Sequence, residues 1–460
     1  MGEGVEMSVG YILSGSQFGD EGKGTFVDYL AHEKGIVRNI RFNGGSQAAH
    51  TVMLDDKVYR FSQLGSSMLI PGNKTLLSEN TIVNPFNLVT EAKKFAELIH
   101  TDYEEILARV FISSKSKIVT PYHALTNQIR ELSYSKRGSF GTGVSEVTNI
   151  SEETGLCLKI SDLLDGRYID ILDDLYFYTK NFLSNNLERI DSKELEKVHR
   201  DDIDLTAAEN RSYIRNCYKN LLASIKLNVI NYVSEFSEGK EDIVFEGSQG
   251  LLIDRNHGIR PNTTLLDTSN QYGVKLAKEL GIEPLKIGLI RAFASRHGLG
   301  LLPTYDEELS KFIVDPNQES VYWLGTEPIY GWFDAVLLRY AQMINGNDEY
   351  YISCLDQLRG LDRLKICDSY LYEGTVDREF VEIFEYHYDH NKIIITNILK
   401  NSSSLKKYLN KAKPIYMEMA GIRNDDYTDY INSIEELTGI KITLLSIGPK
   451  RSDKVRRLVR

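Results

Sequence analysis

The sequence has 460 residues, of which 42% are apolar and 26% charged, and this composition excludes a disordered or fibrous protein. Its formal net charge of -11 excludes a broad nucleic-acid-binding face, which must be net basic, although small anions can bind in locally positive pockets. The four cysteines form no CxxC pair, so neither a zinc cage nor a disulfide framework is predicted. No window approaches about eighteen uninterrupted apolar residues, which predicts a cytoplasmic protein without a membrane span.

The first part of the chain alternates strand and helix patterns. "VGYILSG" (9–15) predicts a strand, "GKGTFVDYLAHEKG" (22–35) a helix, and "IVRNIRFNGG" (36–45) a second strand. This order of strand, loop, helix and strand is typical of a parallel α/β sheet. Residues from about 155 to 240 are mainly helical in pattern, and we predict that they form an insertion.

Strand patterns return in the second half, at 241–250, 285–296 and 349–356, and a helix followed by a strand is predicted over 430–449. Ligands of parallel sheets gather at the carboxyl ends of the strands. No Pro- or Ser-rich linker divides the chain. We therefore predict a single α/β domain over residues 1–460, with a large, mostly parallel central sheet flanked by helices.

The first strand leads into the glycine-rich stretch "GSQFGDEGKGTF" (15–26). Its glycines surround Lys23, but the hydroxyl of a standard Walker loop arrives one place late, at Thr25. Glycines let backbone N–H groups converge on a phosphate, the helix that follows adds its positive end, and the lysine supplies a charge. A phosphate-binding loop is the functional interpretation, and a tight glycine turn with a surface lysine is the alternative.

Two polar side chains add chemistry to this loop. The carboxylate of Asp20 would repel a phosphate unless it binds Mg²⁺ or exchanges a proton with a substrate, so it is predicted to have one or both roles. "RFNGGSQAAHTV" (41–52) follows the second strand and brings His50 to the same edge of the sheet. His50 is a candidate acid, although a single histidine is more often structural.

Together, "QFGDEGKG" and "NGGSQAAHTV" resemble the adenylosuccinate synthetase family, which carries QWGDEGKG and QGGxNAGHT segments. Further matches follow in the family's order: "VFEGSQGLLIDRNHGIRPNTT" resembles FEGAQGxLLDxxHGTYPxVT, "ASRHGLGLLPT" resembles TRVGxGPFPT, "SCLDQLRGLDRLKIC" resembles TKLDVLDGLxxIKIC, and "IEELTGIKITLLSIGPKR" resembles IEELTGVPIxxxSxGPxR. The likeness runs from about residue 10 to residue 452.

The resemblance implies a P-loop-NTPase-like fold of the adenylosuccinate synthetase type and a GTP-dependent carbon–nitrogen ligase that acts in purine nucleotide metabolism. In that family an aspartate takes the N1 proton of a 6-oxopurine nucleotide, a histidine assists transfer of the γ-phosphoryl group to O6, and the amine of L-aspartate displaces the phosphate. The matching residues are Asp20 as base and Mg²⁺ ligand, His50 as acid, and the backbone at Ala49 as a second Mg²⁺ contact. The family also implies a homodimer.

The same matching assigns the other site residues. GTP, the co-substrate, would contact Gly19, Glu21, Gly22, Lys23, Gly24, Thr25, Thr51, Asp356, Ser446 and Gly448, and the acceptor nucleotide would contact Asn43, Ser139, Gln249, Ile253 and Thr264. Asp356 would accept from the guanine N1 and N2 groups, which adenine cannot match, and Gln249 would also take part in catalysis. The alternatives are an ordinary loop carboxylate for Asp356 and a backbone-bonding amide for Gln249.

Two segments depart from the family pattern. The family's aspartate-binding GRxRRxGWxD corresponds to "GTEPIYGWFD" (325–334), and no arginine occurs between Arg296 and Arg339. Each charge-assisted hydrogen bond to a carboxylate contributes roughly 1.5–3 kcal/mol, so L-aspartate is a doubtful donor, and Glu327 would suit a neutral or cationic amine. The acceptor-phosphate loop TTGRGIGP corresponds only loosely to "SFGTGVSE" (139–146), and Cys354 replaces the lysine of TKLD.

Three functions are compatible with the sequence. The first is a GTP-dependent ligase that joins an amine other than aspartate to a 6-oxopurine nucleotide, IMP-like or GMP-like. The second is an ordinary adenylosuccinate synthetase that holds aspartate through other groups. The third is a nucleotide-binding or GTP-hydrolysing sensor without ligase turnover.

Overall fold

The computed structural model describes residues 8–133, 137–191, 193, 205–237, 241–314 and 327–457. Its central sheet has ten strands, which run from edge to edge in the order Lys454–Arg456 (β21), Ile442–Ser446 (β20), Glu349–Ser353 (β15), Glu283–Arg291 (β11), Val9–Gly15 (β1), Ile243–Gly250 (β10), Arg38–Arg41 (β2), Lys74–Leu77 (β6), Val110–Ser113 (β8) and Asn228–Ile230 (β9). All neighbouring strands are parallel except β20 and β21.

The remaining strands form smaller sheets. Gly44–Gly45 (β3) pairs with Thr81–Ile82 (β7), His50–Leu54 (β4) with Lys57–Phe61 (β5), and Ala294–Arg296 (β12) with Ile329–Gly331 (β13). A mixed sheet contains Phe333–Asp334 (β14), Arg363–Tyr372 (β16), Phe384–Asp389 (β17), Lys392–Ile398 (β18) and Ala412–Ala420 (β19).

The helices cover both faces of the central sheet and its edges. They are Lys23–Lys34 (α1), Pro85–Ile99 (α2), Tyr103–Ala108 (α3), Pro121–Ser133 (α4), Val144–Thr154 (α5), Ile160–Leu164 (α6), Tyr168–Asn186 (α7), Ala208–Ser224 (α8), Gln271–Glu279 (α9), Glu307–Phe312 (α10), Ala335–Asn345 (α11), Arg378–Ile383 (α12), Leu405–Leu409 (α13) and Thr428–Thr438 (α14). Among the described residues, no helix is long and apolar enough to cross a membrane.

Strand β1 lies in the middle of the sheet, and its side chains alternate between the two faces. Leu13 packs with Phe26 and Leu30 of α1 on one face, whereas Ile12 packs with Leu276 of α9 on the other. Each of these side chains is buried, and burial of such a residue contributes about 1.5–3 kcal/mol relative to exposure. The two helices therefore fix the position of the loop that follows β1.

The α/β fold with a large, mostly parallel sheet is confirmed. The predicted strand at 9–15 and the helix that follows it appear as β1 and α1. Residues 155 to 240 are mainly helical where they are described, through α6, α7 and α8, but they also contain β9. Because β9 pairs with β8 at the edge of the central sheet, this segment is not wholly an insertion.

Several connections at the carboxyl ends of the central strands converge on one region. β1 continues into loop 16–22, β10 into a short 3₁₀ turn at Leu251–Ile253, and β15 into another at Leu355–Leu358. Parallel strands present all their carboxyl ends at the same edge, so these loops meet although they are far apart in sequence.

Candidate active site

A cavity of about 450 Å³ opens at this edge of the sheet. Most of the predicted site residues line it: Gly19, Asp20, Gly22, Lys23, Gly24, Thr25, Ala49, His50, Thr51, Ser139, Gln249, Ile253, Thr264, Asp356, Ser446 and Gly448. Glu21 and Asn43 are buried and do not line it. Their predicted ligand contacts stay predictions.

Glu21 is a support of the glycine-rich loop. Its Oε1 accepts hydrogen bonds of 3.0 Å from the backbone N–H groups of Gln17 and Gly19, and its Oε2 lies 2.5 Å from Lys23 Nζ. A buried carboxylate that is fully hydrogen-bonded fixes the loop and balances the lysine. Asn43 has a similar role, since its Oδ1 accepts from the N–H of Ser248 at 2.7 Å and its Nδ2 donates to the Asp267 carbonyl.

Glycines allow the phosphate loop to approach its neighbours closely. A Cβ atom on Gly24 would lie 2.8 Å from the Thr51 carbonyl oxygen, and one on Gly15 would lie 2.4 Å from the Gln249 carbonyl oxygen. Only glycine permits both contacts. The first contact sets the start of α1 directly against β4, which carries His50.

Three non-glycine residues of the cavity wall have left-handed backbone conformations. The φ angles are 61° at Asp20, 61° at Gln249 and 60° at Cys354. Such conformations cost of order 1–3 kcal/mol and persist where the surrounding structure imposes them, often at functional sites. The three residues lie at or just beyond the ends of β1, β10 and β15, so the strained positions mark the bottom of the cavity.

Asp20 contacts a histidine that the sequence analysis did not single out. Its Oδ2 lies 2.9 Å from Nε2 of His297, and its side chain is 44% exposed, toward the cavity. Partial desolvation by the surrounding protein opposes ionisation of this carboxyl, but the hydrogen bond and charge of His297, with the charges of Arg291 and Lys23, hold its pKa at about 2. Asp20 is therefore a carboxylate at neutral pH, able to bind a cation or receive a proton.

His50 is held by a buried glutamate of β10. Its Nδ1 lies 2.5 Å from Oε1 of Glu246, and the Glu246 carboxylate also accepts from the N–H and hydroxyl of Ser66. Burial disfavours the Glu246 carboxylate, but nearby Arg41 and the bonds from His50 and Ser66 hold its pKa at about 2. Burial and the charge of Arg41 lower the pKa of His50 to about 4. A carboxylate at Nδ1 fixes the ring so that Nε2 is the free nitrogen.

The His50–Glu246 pair predicts that the folded protein loses stability in acid. The unfolded His50 has an ordinary pKa near 6.5, so below that pH the unfolded chain binds a proton that the folded chain does not, and stability falls as pH drops from 6.5 toward 4. The expected loss from His50 at pH 5 is about 2 kcal/mol, since each pKa unit is worth about 1.4 kcal/mol. Urea unfolding at pH 7.5 and at pH 5 measures this effect. Between these two pH values the free energy of unfolding should fall less for His50→Gln than for the wild type, and an equal fall in both proteins would contradict the prediction.

One end of the cavity carries the residues predicted to bind guanine. Asp356 follows Cys354 after β15, and Ser446 Oγ donates to the Gly448 carbonyl at 2.9 Å after β20. Burial raises the pKa of Asp356, whereas the charges of Arg359 and Lys454 lower it. This places a carboxylate beside a backbone turn, a combination that suits N–H donors of a heterocycle.

The middle of the cavity contains two amide side chains with unused acceptors. The Oε1 atoms of Gln249 and Gln47 are buried, and neither has a hydrogen-bond partner among the described residues. Buried polar atoms in proteins are normally paired, so unpaired ones in a cavity wall indicate ligand-binding positions. For Gln249 this supports the functional interpretation over that of a backbone-bonding amide.

The segment that would bind aspartate in the family contributes little to the cavity. Trp332 Nε1 donates to Asp306 at 2.8 Å, and Asp334 caps α11 by accepting from the N–H of Leu337 and from the hydroxyl of Tyr370. These residues hold the fold together. Residues 325 and 326 lie outside the described chain, and Glu327 is exposed and does not line the cavity.

Several cavity residues and their supports were missed by the sequence analysis: Gln47, Arg137, Glu246, Arg291 and His297. His297 and Glu246 lie inside segments that were recognised, "ASRHGLG" and "VFEGSQG". Both are titratable residues near the ends of predicted strands, so the sequence could have indicated them as candidate site residues. Their partners, however, are separated from them by 277 and 196 positions in the sequence. Such pairings become visible only in the folded chain.

Comparison with known proteins decides the family. The sequence model of adenylosuccinate synthetase matches residues 12–455. The chain belongs to the adenylosuccinate synthetase family. The predicted recognition is thereby confirmed, together with the predictions of a carbon–nitrogen ligase and of GTP as co-substrate at the level of the family. The homodimer and the cytoplasmic location stay predictions.

Relatives of this family match nearly the whole chain. Adenylosuccinate synthetases of Desulforamulus reducens and Borrelia duttonii are each 29% identical to it, covering 96% and 97% of this chain and 97% and 98% of their own lengths. A fully ligated adenylosuccinate synthetase from Plasmodium falciparum has a similar fold, with a TM-score of 0.73, 20% identity and coverage of 98% and 100%. A cyanophage S-2L succinoaminodeoxyadenylate synthetase, bound to dGMP and to dATP as an energy donor, aligns with a TM-score of 0.56, 14% identity and coverage of 98% and 96%.

Proposed function

We propose that this protein uses GTP to phosphorylate O6 of a 6-oxopurine nucleotide and then joins an amine to C6. One observation carries the proposal: Asp20, as a carboxylate, and His50, with Nε2 free, line the same cavity between a phosphate-type loop and the unpaired amide of Gln249. A base, an acid and a nucleotide cradle at one edge of a parallel sheet form a complete activation apparatus.

Two residues of the chain account for the proton transfers of the phosphoryl step. The Asp20 carboxylate takes the proton from ring N1, so negative charge develops on O6, which bonds to the γ-phosphorus while the bond to the β-phosphate oxygen breaks and GDP leaves. The charge of the triphosphate favours protonation of His50, whose Nε2–H then donates to the transferring phosphoryl group while Glu246 holds Nδ1. The amine nitrogen next bonds to C6 and loses a proton to water, the C6–O6 bond breaks, and phosphate departs with the oxygen.

The donor set near Asp20 fits Mg²⁺. Mg²⁺ beside nucleotides is usually held by one or two carboxylates together with phosphates and water. The Asp20 carboxylate and the backbone at Ala49, both on the cavity wall, would hold the ion. It would supply positive charge beside the phosphates during transfer.

Selection of GTP is assigned to Asp356. We expect Asp356→Ala to lower kcat/KM for GTP by about 10–100-fold, because two donors of guanine lose a carboxylate and each such bond is worth about 1.5–3 kcal/mol. Activity with ATP should stay unchanged. Asp425→Asn, at an exposed carboxylate paired with Arg359, is the matched control. An equal loss with GTP and ATP would show that Asp356 supports the loop instead.

The amine donor is proposed to differ from L-aspartate in how it is bound. The support is the absence of arginine from 325–334 and the structural use of Trp332 and Asp334. L-Aspartate remains a second candidate, because the relatives are adenylosuccinate synthetases and Arg291 lies on the cavity wall. Mass spectrometry of products formed from a mixed pool of amines and amino acids distinguishes the two donors. L-Aspartate predicts a succinyl product, whereas another amine does not.

A sensor or GTP hydrolase without ligase turnover is the remaining alternative. Incubation with GTP, Mg²⁺ and a 6-oxopurine nucleotide tests it directly. The proposed ligase releases phosphate only when the purine and an amine are present. Equal phosphate release with and without the purine nucleotide would favour the hydrolase.

A further inference from the structure

The loop between α4 and α5 forms a wall of the cavity, and it bears on how the acceptor is held. Gly138, Gly141 and Gly143 have φ angles of 84°, 70° and 82°. Residues in such conformations can turn backbone N–H groups toward an anion, and a nest forms where successive N–H groups point to one place. A phosphate can enter such a nest only when its N–H groups have no other acceptor.

Side chains of α4 accept from two of these glycine N–H groups. The N–H of Gly138 donates to Oε2 of the buried Glu131 at 3.0 Å, and the backbones of Arg137 and Ser139 also donate to this carboxylate. The N–H of Gly143 donates to Oδ1 of Asn127 at 3.3 Å. A phosphate at the N–H of Gly138 would meet a carboxylate already in place, and one at the N–H of Gly143 would compete with the Asn127 amide oxygen.

Arg130 is the first cation beside this loop, and its charge is used. Its NH2 lies 2.8 Å from the fully buried Glu146, and its NH1 lies 3.2 Å from Glu153. Its guanidinium also lies over the ring of Phe182, 4.7 Å from the centroid. Two carboxylates neutralise one guanidinium, which leaves no net attraction for a phosphate at this position.

Other cations of the cavity wall are engaged elsewhere. Lys23 is paired with Glu21 in the GTP loop. Arg296 donates to the carbonyls of Leu301 and Asn262 and lies over the ring of Phe18. Arg296 therefore fixes backbone segments of the cavity, and Lys23 belongs to the loop assigned to GTP.

Arg137 differs from these cations. It lines the cavity, and its guanidinium makes no hydrogen bond or ion pair with another residue of the described chain. Its backbone is anchored, because Nδ2 of Asn262 donates to the Arg137 carbonyl at 3.2 Å. The hydroxyl residues Thr142 and Ser145 line the same cavity. A guanidinium and hydroxyl groups are the kinds of donors that recognise a phosphate monoester.

We propose that Arg137 binds the phosphate of the acceptor nucleotide and so selects a nucleoside monophosphate over the uncharged nucleoside. The inference rests on the proposed function, because it identifies the acceptor as the ligand of this wall. Residues 139–146, "SFGTGVSE", contain no lysine or arginine, so Arg137 is the nearest cation that precedes this segment in the sequence.

Calorimetric titration tests this without requiring turnover. A 6-oxopurine nucleoside 5′-monophosphate and the corresponding nucleoside are each titrated into the wild type, Arg137→Ala, Arg137→Lys and Arg255→Ala, a surface control paired with Glu152. We expect Arg137→Ala to weaken monophosphate binding about 10–100-fold and to leave nucleoside binding unchanged, with Arg137→Lys intermediate. The control should match the wild type.

Three results would overturn the inference: equal weakening of both ligands, unchanged monophosphate binding in Arg137→Ala, or no preference of the wild type for the monophosphate. Purine-dependent phosphate release, measured separately on the same samples, reports on the proposed function. If monophosphate binding depends on Arg137 but no phosphate is released, the role of Arg137 is supported and the ligase function is contradicted. If phosphate is released but monophosphate binding does not depend on Arg137, the ligase function is supported and the role of Arg137 is contradicted.

Discussion

Asp20→Asn is expected to lower purine-dependent phosphate release by about 10²–10⁴-fold while GTP binding changes little. Removal of a positioned base has an effect of this size. Asparagine is the suitable replacement because it tolerates the left-handed conformation of residue 20, where φ is 61°, and keeps the shape of the side chain. The loss would therefore report on the charge and basicity of the carboxylate rather than on the loop.

Steady-state phosphate release and equilibrium GTP binding measure the two parts of this expectation. Asp165→Asn, at an exposed carboxylate near Arg167, is the matched control and should behave as the wild type. If Asp20→Asn turns over within a few-fold of the wild type, Asp20 is not the catalytic base. If the variant loses both GTP binding and turnover, Asp20 has a structural role in the loop instead.

Glu246→Ala is expected to lower the free energy of unfolding by about 3–5 kcal/mol, the usual cost of removing one partner of a buried charged pair. Glu246 is fully buried and accepts from His50, Asn39 and Ser66, and Arg41 lies 4.0 Å away. Its loss leaves the Arg41 charge and the His50 ring without their carboxylate. Urea unfolding at pH 7.5 measures the change.

Comparison with His50→Ala separates stability from chemistry. That variant removes the acid but leaves Glu246 its contacts with Ser66, Asn39 and Arg41, so it should lose activity with a smaller loss of stability. A Glu246→Ala protein that unfolds like the wild type would show that the buried network contributes no stability. It would also remove the reason for assigning the orientation of His50 to Glu246.

Much of the fold could be predicted because its signals are local. The apolar run of β1, the glycine-rich turn and the start of α1 are adjacent in sequence, and a short continuous apolar run that ends at a turn is typical of a strand buried on both faces. Strand β9 was missed because three residues at a sheet edge give almost no pattern. Its place in the sheet depends on β8, which lies far earlier in the chain.

The candidate site likewise contains residues that local motifs predict and contacts that only the folded chain shows. Asp20 and His50 could be assigned because each lies in a motif, and the structure places both on the cavity wall. Glu21 was assigned to the ligand because it shares the motif with Asp20, although only the folded loop shows its carboxylate turned inward to Gln17, Gly19 and Lys23. His297 could not be connected to Asp20 from sequence, because that contact depends on how β11 and β1 lie side by side.

The central claim is that the purine oxygen, activated at Asp20, receives the phosphoryl group of GTP. Isotope tracing tests it most directly: a 6-oxopurine nucleotide labelled with ¹⁸O at O6 is converted with GTP, Mg²⁺ and an amine in unlabelled water, and the released phosphate is measured by mass spectrometry. We predict one ¹⁸O atom in each phosphate and none in the aminated purine. Phosphate that carries only solvent oxygen, with the label retained on the purine, would contradict the account.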